Sequence, residues 1–226
     1  TATVEGVTAE RMCTAKKQAV EEVLQRGRIP LLVDPDGRSI EVLKPDVVVD
    51  AIIAKKNLGT YKEMAPLVIG ICRGFVAGED VHLVVESMRG HNLARILETG
   101  SALANTGIPG NIGGYTKERV IHAAAEGYMK NLHQIGDVVQ KGEEIARIYE
   151  QMSTDGIFSG KFVSVEATIP GVLRGLIREG YHFQKGFKIA DIDPRESELA
   201  NCFTISDKAS SIGGSVLEAV CRYVNG

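Results

Sequence analysis

The sequence predicts an α/β unit, then an all-β domain and a carboxyl-terminal helix, and three observations support this fold class. Between residues 16 and 86, segments with helical apolar spacing alternate with short apolar runs, as in layered α/β proteins. Residues 126–148 align without a gap with residues 170–192, with 9 identities in 23 positions. Residues 207–223 again show helical spacing. Two different kinds of structure are therefore expected in succession.

The first part is expected to form a Rossmann-like layered unit over residues 1–104. Its first helix covers Lys16 to Gln25 and ends at Gly27, because glycine tolerates the left-handed backbone of a helix end. The run Val47 to Ala54 is almost continuously apolar, which is typical of a parallel strand buried on both faces. The other predicted elements are strands over 29–33, 67–71 and 81–86, a short helix over 39–43, and a helix over 92–97 capped by Asn92.

The two aligned segments share the residues that shape turns. Glycines recur 44 positions apart at three places, pairing Gly127 with Gly171, Gly136 with Gly180 and Gly142 with Gly186. Glycine at fixed spacing marks turns that a side chain would resist. Each copy is expected to form short strands joined by tight turns, and the two copies are expected to share one core around a quasi-two-fold axis.

The repeated pattern resembles that of biotinyl and lipoyl carrier domains. In the first copy it reads Gly136-Asp137-Val138-Val139-Gln140-Lys141-Gly142. The resemblance covers roughly residues 119–193 and implies a barrel-sandwich hybrid fold more firmly than a function. The expected boundaries are 1–104 for the α/β domain, 105–118 for a glycine-rich connection, 119–195 for the hybrid domain and 196–226 for a carboxyl-terminal helical segment.

Carrier domains place a modified lysine on the hairpin that joins their two halves. Here the connection runs from Tyr149 to Ile169 and lacks both the acidic-Lys-Ala and the Met-Lys-Met signatures. Its one lysine, Lys161, lies between Gly160 and Phe162 and is interpreted as a solvated loop residue, with a displaced acceptor as the alternative. Neither biotin nor lipoate is therefore expected as a cofactor.

Composition excludes several functional classes. The formal net charge is -3, and no basic run with interleaved aromatic residues is present, so nucleic acid is not an expected partner. The longest apolar stretch falls far short of the roughly 20 residues that cross a bilayer, so no membrane partner is expected either. No signal peptide is visible. The four cysteines are scattered, as is common in a reducing cytoplasm, where the protein is expected to reside.

No metal site is predicted, because cysteine and histidine lack the spacing of zinc ligands. Cys72 ends an apolar run and could be a nucleophile, although a buried structural thiol is the commoner outcome. Asp191 and Asp193 alternate at the end of the second copy, where they could bind a cation or cap the turn to Arg195. The turn is the preferred interpretation.

Cationic and amide side chains follow three successive predicted strands. Because parallel strands end at one edge of a sheet, these side chains are expected to collect there and bind a small anion. A predicted helix start near residue 92 would add its free amide groups and dipole. The alternative is a set of solvated loop charges. The candidate anion-binding residues are Lys55, Lys56, Asn57, Arg73, Arg89 and His91.

Several long strings resemble the YqeB-type accessory proteins of the selenium-dependent molybdenum hydroxylase system. They include Val48 to Thr60, Met64 to Gly70, Arg89-Gly90-His91, Asn105 to Gly110 with Gly113-Gly114-Tyr115, Lys188 to Arg195 and Thr204 to Ala209. The resemblance implies a role in maturing bacterial molybdenum hydroxylases and hence a client enzyme as partner. It implies no catalytic residues. It also implies a preceding segment with a strand and a glycine-rich turn, whereas this sequence starts at Thr1.

Three functions remain open at this stage. The first is an accessory protein whose α/β part binds a small anion, such as an activated selenium species or a pterin phosphate, while the hybrid domain docks the client. The second is a biotinyl or lipoyl carrier. The third is an interaction scaffold without a ligand site. The sequence does not decide whether the protein is an enzyme.

Overall fold

A computed structural model describes residues 1–104 and 111–226. The chain divides into two compact units. The described part of the first unit comprises residues 1–104 and 205–226, and that of the second comprises residues 111–204. The predicted glycine-rich connection, 105–118, lies partly outside the described residues, since 105–110 are not among them. Residues 111–118 belong to the second unit.

The first unit begins with a three-stranded sheet. Strands β1 (Ala2–Val4) and β2 (Val7–Arg11) form a hairpin, and β3 (Ile29–Leu31) pairs with β2 in parallel. Helix α1 (Lys17–Gln25) connects β2 to β3 and buries Val20 and Val23. Gly27 adopts a φ of +68° and its amide donates to the Leu24 carbonyl, so it ends the helix as its sequence position predicts.

A second sheet of the first unit has the order β4-β5-β6-β7. Strands β4, β5 and β6 are parallel, and β7 is antiparallel to β6. A short helix, α2, precedes them. The bounds are α2 (Arg38–Leu43), β4 (Val47–Asp50), β5 (Leu67–Ile71), β6 (Leu83–Val85) and β7 (Ile96–Leu97).

Two predicted elements of this sheet were wrong. The strand expected over Val47 to Ala54 stops at Asp50, because the Asp50 carboxylate accepts the Ile52 amide at 3.0 Å and turns the chain. The helix expected over 92–97 is absent. Ala94 has a φ of +67°, and its amide donates to the Glu86 carbonyl, so this segment folds back beside β6 as a hairpin.

The carboxyl-terminal helix α3 (Asp207–Asn225) belongs to the first unit. Ser206 caps it by accepting the Ala209 amide. Ala219 is almost fully buried against Ile69 and Val85 of the parallel sheet. The predicted segment 196–226 is therefore divided: a 3₁₀ helix (Glu196–Phe203) lies in the second unit, whereas α3 covers one face of the β4–β7 sheet. An apolar helix face needs such a partner surface.

The described part of the second unit contains two four-stranded sheets, with orders β10-β13-β15-β8 and β12-β11-β9-β14. Both contribute to one core, in which Met129, Ile148, Leu173 and Ile192 are buried. The strand bounds are β8 (Val120–His122), β9 (Gly127–Asn131), β10 (Val138–Val139), β11 (Glu144–Met152), β12 (Phe158–Glu166), β13 (Gly171–Leu176), β14 (His182–Phe183) and β15 (Lys188–Asp193).

The two aligned sequence segments adopt the same succession of strands. Strands β9, β10 and β11 begin 44 residues before β13, β14 and β15. The middle strand of each copy pairs with the first strand of the other copy, since β10 pairs with β13 and β14 pairs with β9. The copies thus exchange strands around a quasi-two-fold axis.

The structural repeat is longer than the sequence repeat. Glu144 of β11 pairs with Glu166 of β12, and Lys188 of β15 pairs in the same way with His122 of β8. In both pairs of strands, a register shift follows immediately after this position. The end of β12 is therefore the counterpart of β8. Within the described residues, 1–104 and 111–226, the part of the β11–β12 hairpin beyond this region has no counterpart in the other copy. Among the residues that the structure describes, no helix combines the length and hydropathy needed to span a bilayer.

Candidate functional site

The loops after β4, β5 and β6 carry the six candidate anion-binding residues. These strands are adjacent and parallel, so their carboxyl ends lie at one edge of the sheet. The loop after β4 contains Lys55, Lys56 and Asn57, the loop after β5 contains Arg73, and the loop after β6 contains Arg89 and His91. Their environments differ: three of the six are exposed and charged on touching loops, and the other three form a second group.

Lys55, Lys56 and Arg73 form the first group, which we call the cationic edge. All three are exposed. The loops that carry them are in contact: a Cβ added to Gly74 would lie 2.8 Å from the Lys56 Cα, so only glycine allows this approach. Among the described residues, no carboxylate lies within ion-pair distance of these three charged groups. The cationic edge therefore keeps its positive charge available to solvent.

Asn57 has a structural role in the loop that carries it. Its Oδ1 accepts the amides of Gly59 and Thr60, each at 2.8 Å, and its Nδ2 donates to the Thr60 carbonyl at 2.7 Å. A side-chain amide committed to its own loop in this way shapes a turn. The predicted role of Asn57 as an anion ligand stays a prediction, and it would depend on the second hydrogen of the Nδ2 group.

Arg89 is also committed to a partner. Its two terminal nitrogens donate to the two carboxylate oxygens of Asp207 at 2.7 and 2.9 Å. The hydrogen bonds from Arg89 to Asp207 raise the pKa of Arg89, and they place a carboxylate beside its guanidinium. His91 is exposed, but the helix start expected beside it is a turn. The predicted contribution of a helix amino terminus to this site was therefore wrong.

A buried polar layer lies beneath the cationic edge, and sequence reasoning missed most of it. Asp50, Cys72 and Glu86 stand at or just after the ends of the three strands, and all are buried. The Asp50 carboxylate accepts the Thr60 hydroxyl at 2.6 Å, and Glu86 accepts two loop amides at 2.7 Å each. These carboxylates hold the loops in place. The available signal was an acidic residue at the end of two of the three apolar runs, Asp50 and Glu86.

The Cys72 thiol is poorly suited to nucleophilic chemistry. Burial raises its pKa, and a hydrogen bond from the Lys55 amide opposes that effect only in part. A thiol of raised pKa is protonated at neutral pH, and the thiolate is the reactive form. Cys72 adopts a φ of +73°, and its Sγ donates to the Arg73 carbonyl at 3.3 Å. Its environment favours the structural interpretation.

Other candidate residues of the sequence have ordinary partners. Lys161 lies within β12, and the tip of the hairpin is the turn around Ser153 to Gly156. Asp193 is fully buried and accepts both the amide and the guanidinium of Arg195, so it caps the turn. In the described part of the chain, no group of three or more histidine, cysteine or carboxylate side chains is arranged to hold a metal ion.

Two cavities of the first unit lie away from the cationic edge. One of about 870 Å³ is lined by residues that precede β4 and β5, including Asp46 and Glu63. Its lining is rich in carboxylates, which repel anions. The other, of about 330 Å³, lies where β2 and β3 end and includes Arg11 and Arg38. Neither cavity is lined by any of the six predicted residues.

Comparison with known proteins finds a relative that is similar in sequence. It is 46% identical over 223 residues to the protein named "Uncharacterized protein YqeB" of Escherichia coli (strain K12). The chain is related in sequence to YqeB. The match covers 99% of this chain but 38% of YqeB, so the chain spans well under half of that relative's length. No protein-family model matches the chain.

Solved structures offer weaker likenesses than YqeB does. An aspartoacylase family protein from Mesorhizobium loti is 14% identical, with a TM-score of 0.30, over 35% of this chain and 24% of that one. The ectoine utilization protein EutE (DoeB) from Ruegeria pomeroyi is 18% identical, with a TM-score of 0.27, over 44% of this chain and 28% of that one. TM-scores this low support neither a fold assignment nor a functional assignment.

Proposed function

We propose that this chain is part of a YqeB-type accessory protein that helps mature selenium-dependent molybdenum hydroxylases in the cytoplasm, with a small anion bound at the cationic edge. The relation to YqeB supports the family, and the long strings quoted above support the maturation role. The first unit is the ligand-binding part of this proposal. The ligand is an oxyanion, such as an activated selenium species or a pterin phosphate.

One observation carries the ligand proposal: Lys55, Lys56 and Arg73 present three exposed positive charges on touching loops. In many parallel sheets, loops at the carboxyl ends of strands hold ligands because the sheet fixes the loops while their sequence varies. Two ammonium groups and one guanidinium suit a compact anion with several oxygen atoms. The exposed charges also imply binding that weakens with salt.

Beneath these charges, the buried carboxylates contribute to positioning. Asp50 accepts the Ile52 amide and the Thr60 hydroxyl, both in the loop that carries Lys55 and Lys56. Glu86 accepts the amides of Met88, after β6, and of Leu103, after β7, so it holds the neighbouring segments. The hydrogen bonds of Asp50 therefore fix the backbone of the loop after β4 before a ligand arrives. Pre-organised loops lower the entropic cost of binding. Asn57 acts in the same way, by holding the loop that carries Lys55 and Lys56.

The second unit is proposed to be a barrel-sandwich hybrid that docks the client enzyme. Strand exchange between the copies and one shared core support this fold. A docking role is preferred over a carrier role because the hairpin tip bears no lysine and Lys161 lies within β12. Intact-mass analysis of the protein from its own host tests this point, and a mass increase matching biotin or lipoate would contradict it.

Titration calorimetry at low ionic strength tests the ligand proposal. Selenophosphate, molybdate, phosphate and a molybdopterin analogue are titrated into the wild-type chain and into Lys56→Glu and Arg73→Glu. Charge reversal at either position is expected to weaken binding by about tenfold or more, or roughly 1.4 kcal/mol. Lys161→Glu, an exposed lysine of the other unit, is the matched control. No heat with any anion, or equal losses in all three variants, would reject the cationic edge.

A cellular assay tests the maturation role separately. The same charge reversals are placed in the full-length YqeB-type protein of a host with a selenium-dependent hydroxylase, and hydroxylase activity and bound selenium are measured. Lower selenium content with unchanged hydroxylase abundance is expected. Normal maturation in both variants, despite lost anion binding, would show that the protein acts as a scaffold without a ligand site.

A further inference from the structure

The β1–β3 sheet has an apolar face that the described residues leave largely exposed. Alternation along the strands and the pairing register place one set of side chains on this side of the sheet. Val4 is 44% exposed, Val7 51%, Ile29 52% and Leu31 53%. Val4 pairs directly with Val7. We call these four side chains the open face.

The opposite side of the same sheet is polar, and Thr8 and Glu10 on it are half-buried. Thr3 and Thr8 share a hydrogen bond there, and Glu10 accepts the guanidinium groups of Arg26 and Arg28 at 2.7 Å each. Arg26, the residue that follows helix α1, reaches Glu10 on this side, so the helix lies here, with Val20 and Val23 buried. The exposure of the sheet is thus the reverse of the usual arrangement, because the more apolar side faces solvent.

We propose that the open face is covered by an amphipathic helix from polypeptide that YqeB-type proteins carry beyond the part matched here. Sheets built from β-α-β units are normally covered by helices on both faces. Helix α1 already covers one face, so the missing layer is a second helix. YqeB carries such additional polypeptide, since this chain matches only 38% of its length.

The dimensions of the open face fit one helix. Three strands spaced about 4.8 Å apart give a width of about 10 Å between the outer strands, which is about the diameter of an α-helix. Strands of three to five residues are about 10–17 Å long. A helix of about two to three turns covers that length. Arg11, which shares this side, favours a carboxylate at the rim of the helix.

The alternative occupant, a second copy of this chain, fits less well. Two copies would contribute two Arg11 side chains and no carboxylate from this side of the sheet, and like charges across an interface are unfavourable. A helix with an apolar stripe and an acidic rim satisfies both the open face and Arg11. The proposal is independent of the anion site, which lies on the other sheet of this unit.

Site-resolved thiol labelling tests the proposal. Leu31→Cys is made in this chain alone and in full-length YqeB of E. coli in which this chain replaces the matching region. Maleimide labelling of that cysteine is expected to be at least about tenfold slower in the full-length protein, because access controls thiol reactivity. Asp155→Cys, at the exposed hairpin turn of the second unit, is the control and should label at similar rates in both proteins.

Equal labelling of Leu31→Cys in both proteins, with a normal control, would overturn the proposal. Sedimentation of this chain alone gives a second test: a dimer that Leu31→Glu dissociates would show that a second copy is the occupant. Hydroxyl-radical footprinting of unmodified E. coli YqeB requires no substitution. Protection of the region aligned with Ile29 to Leu31, relative to this chain alone, is expected, and equal oxidation would contradict the proposal.

Discussion

Gly171 is the position where the repeat constrains the backbone most severely. It opens β13 with a φ of +147°, and its counterpart Gly127 opens β9 with a φ of +155°. A Cβ at Gly171 would lie 2.8 Å from the Pro194 Cα and would overlap the Asp193 carbonyl oxygen. The obstacle is backbone on the neighbouring strand β15, which cannot move without breaking the sheet.

The cost of Gly171→Ala has two parts. A side chain held in this glycine-favoured backbone region costs about 1–3 kcal/mol. Moving β13 away from β15 disturbs at least one ladder hydrogen bond, which contributes about 1 kcal/mol. The substitution is therefore expected to lower the free energy of unfolding of the second unit by about 3 kcal/mol.

Urea unfolding followed by circular dichroism measures this loss, and Gly156→Ala is the matched control. Gly156 has a φ of +79° in the hairpin turn, but no atom lies within 4 Å of its added Cβ. In the control, the loss of unfolding free energy therefore comes from the backbone conformation alone and is about 1–2 kcal/mol. If Gly171→Ala destabilised the protein no more than Gly156→Ala does, the proposed close approach of β13 and β15 would be refuted.

Three further predictions address charge and packing. The guanidinium of Arg195 lowers the pKa of the buried Asp193 from 3.8 to about 2. About 2 kcal/mol of stability should therefore be lost as the pH falls from about 4 to about 2. Acid unfolding of Asp193→Asn should lack this pH dependence. Arg89→Ala breaks an exposed pair with Asp207 and should cost less than about 1 kcal/mol in thermal unfolding while leaving anion affinity unchanged. Ala219→Asp buries a charge under α3 and should destabilise the first unit by several kcal/mol in thermal unfolding. Leu217→Asp, at a position that is 64% exposed, is the control and should have little effect. A loss of anion binding with Arg89→Ala, or equal effects of the two α3 variants, would contradict these predictions.

The elements that sequence reasoning located best are those that depend on local chemistry. Helix α1 ends where Gly27 supplies a left-handed backbone, and the strands of the second unit follow the recurring glycines. The extension of the repeat to β8 was missed, because that part of the alignment preserves ladder pairing but almost no residue identity. Pairing geometry tolerates many side chains, so sequence identity alone underestimates a duplication.

The errors have one local and one distant cause. The apolar run after Val47 indicated a longer strand, but the carboxylate of Asp50, within that run, accepts the Ile52 amide and turns the chain. The position of Arg89 indicated a free cation, yet Asp207 lies 118 residues further along the chain. Pairing across that separation leaves no local signal. The placement of Lys55 and Arg73 required only the parallel order of neighbouring strands, which the alternation of elements indicates.

Chemical-shift mapping by NMR tests the central claim most directly. Selenophosphate or phosphate is titrated into the isotope-labelled chain at low salt, and the amides that respond are identified. The account predicts saturable shifts concentrated at Lys55, Lys56 and Arg73, with little change at Arg89 or in the second unit. Shifts clustered instead around Arg11 and Arg38, or no shifts at all, would contradict an anion site at the cationic edge.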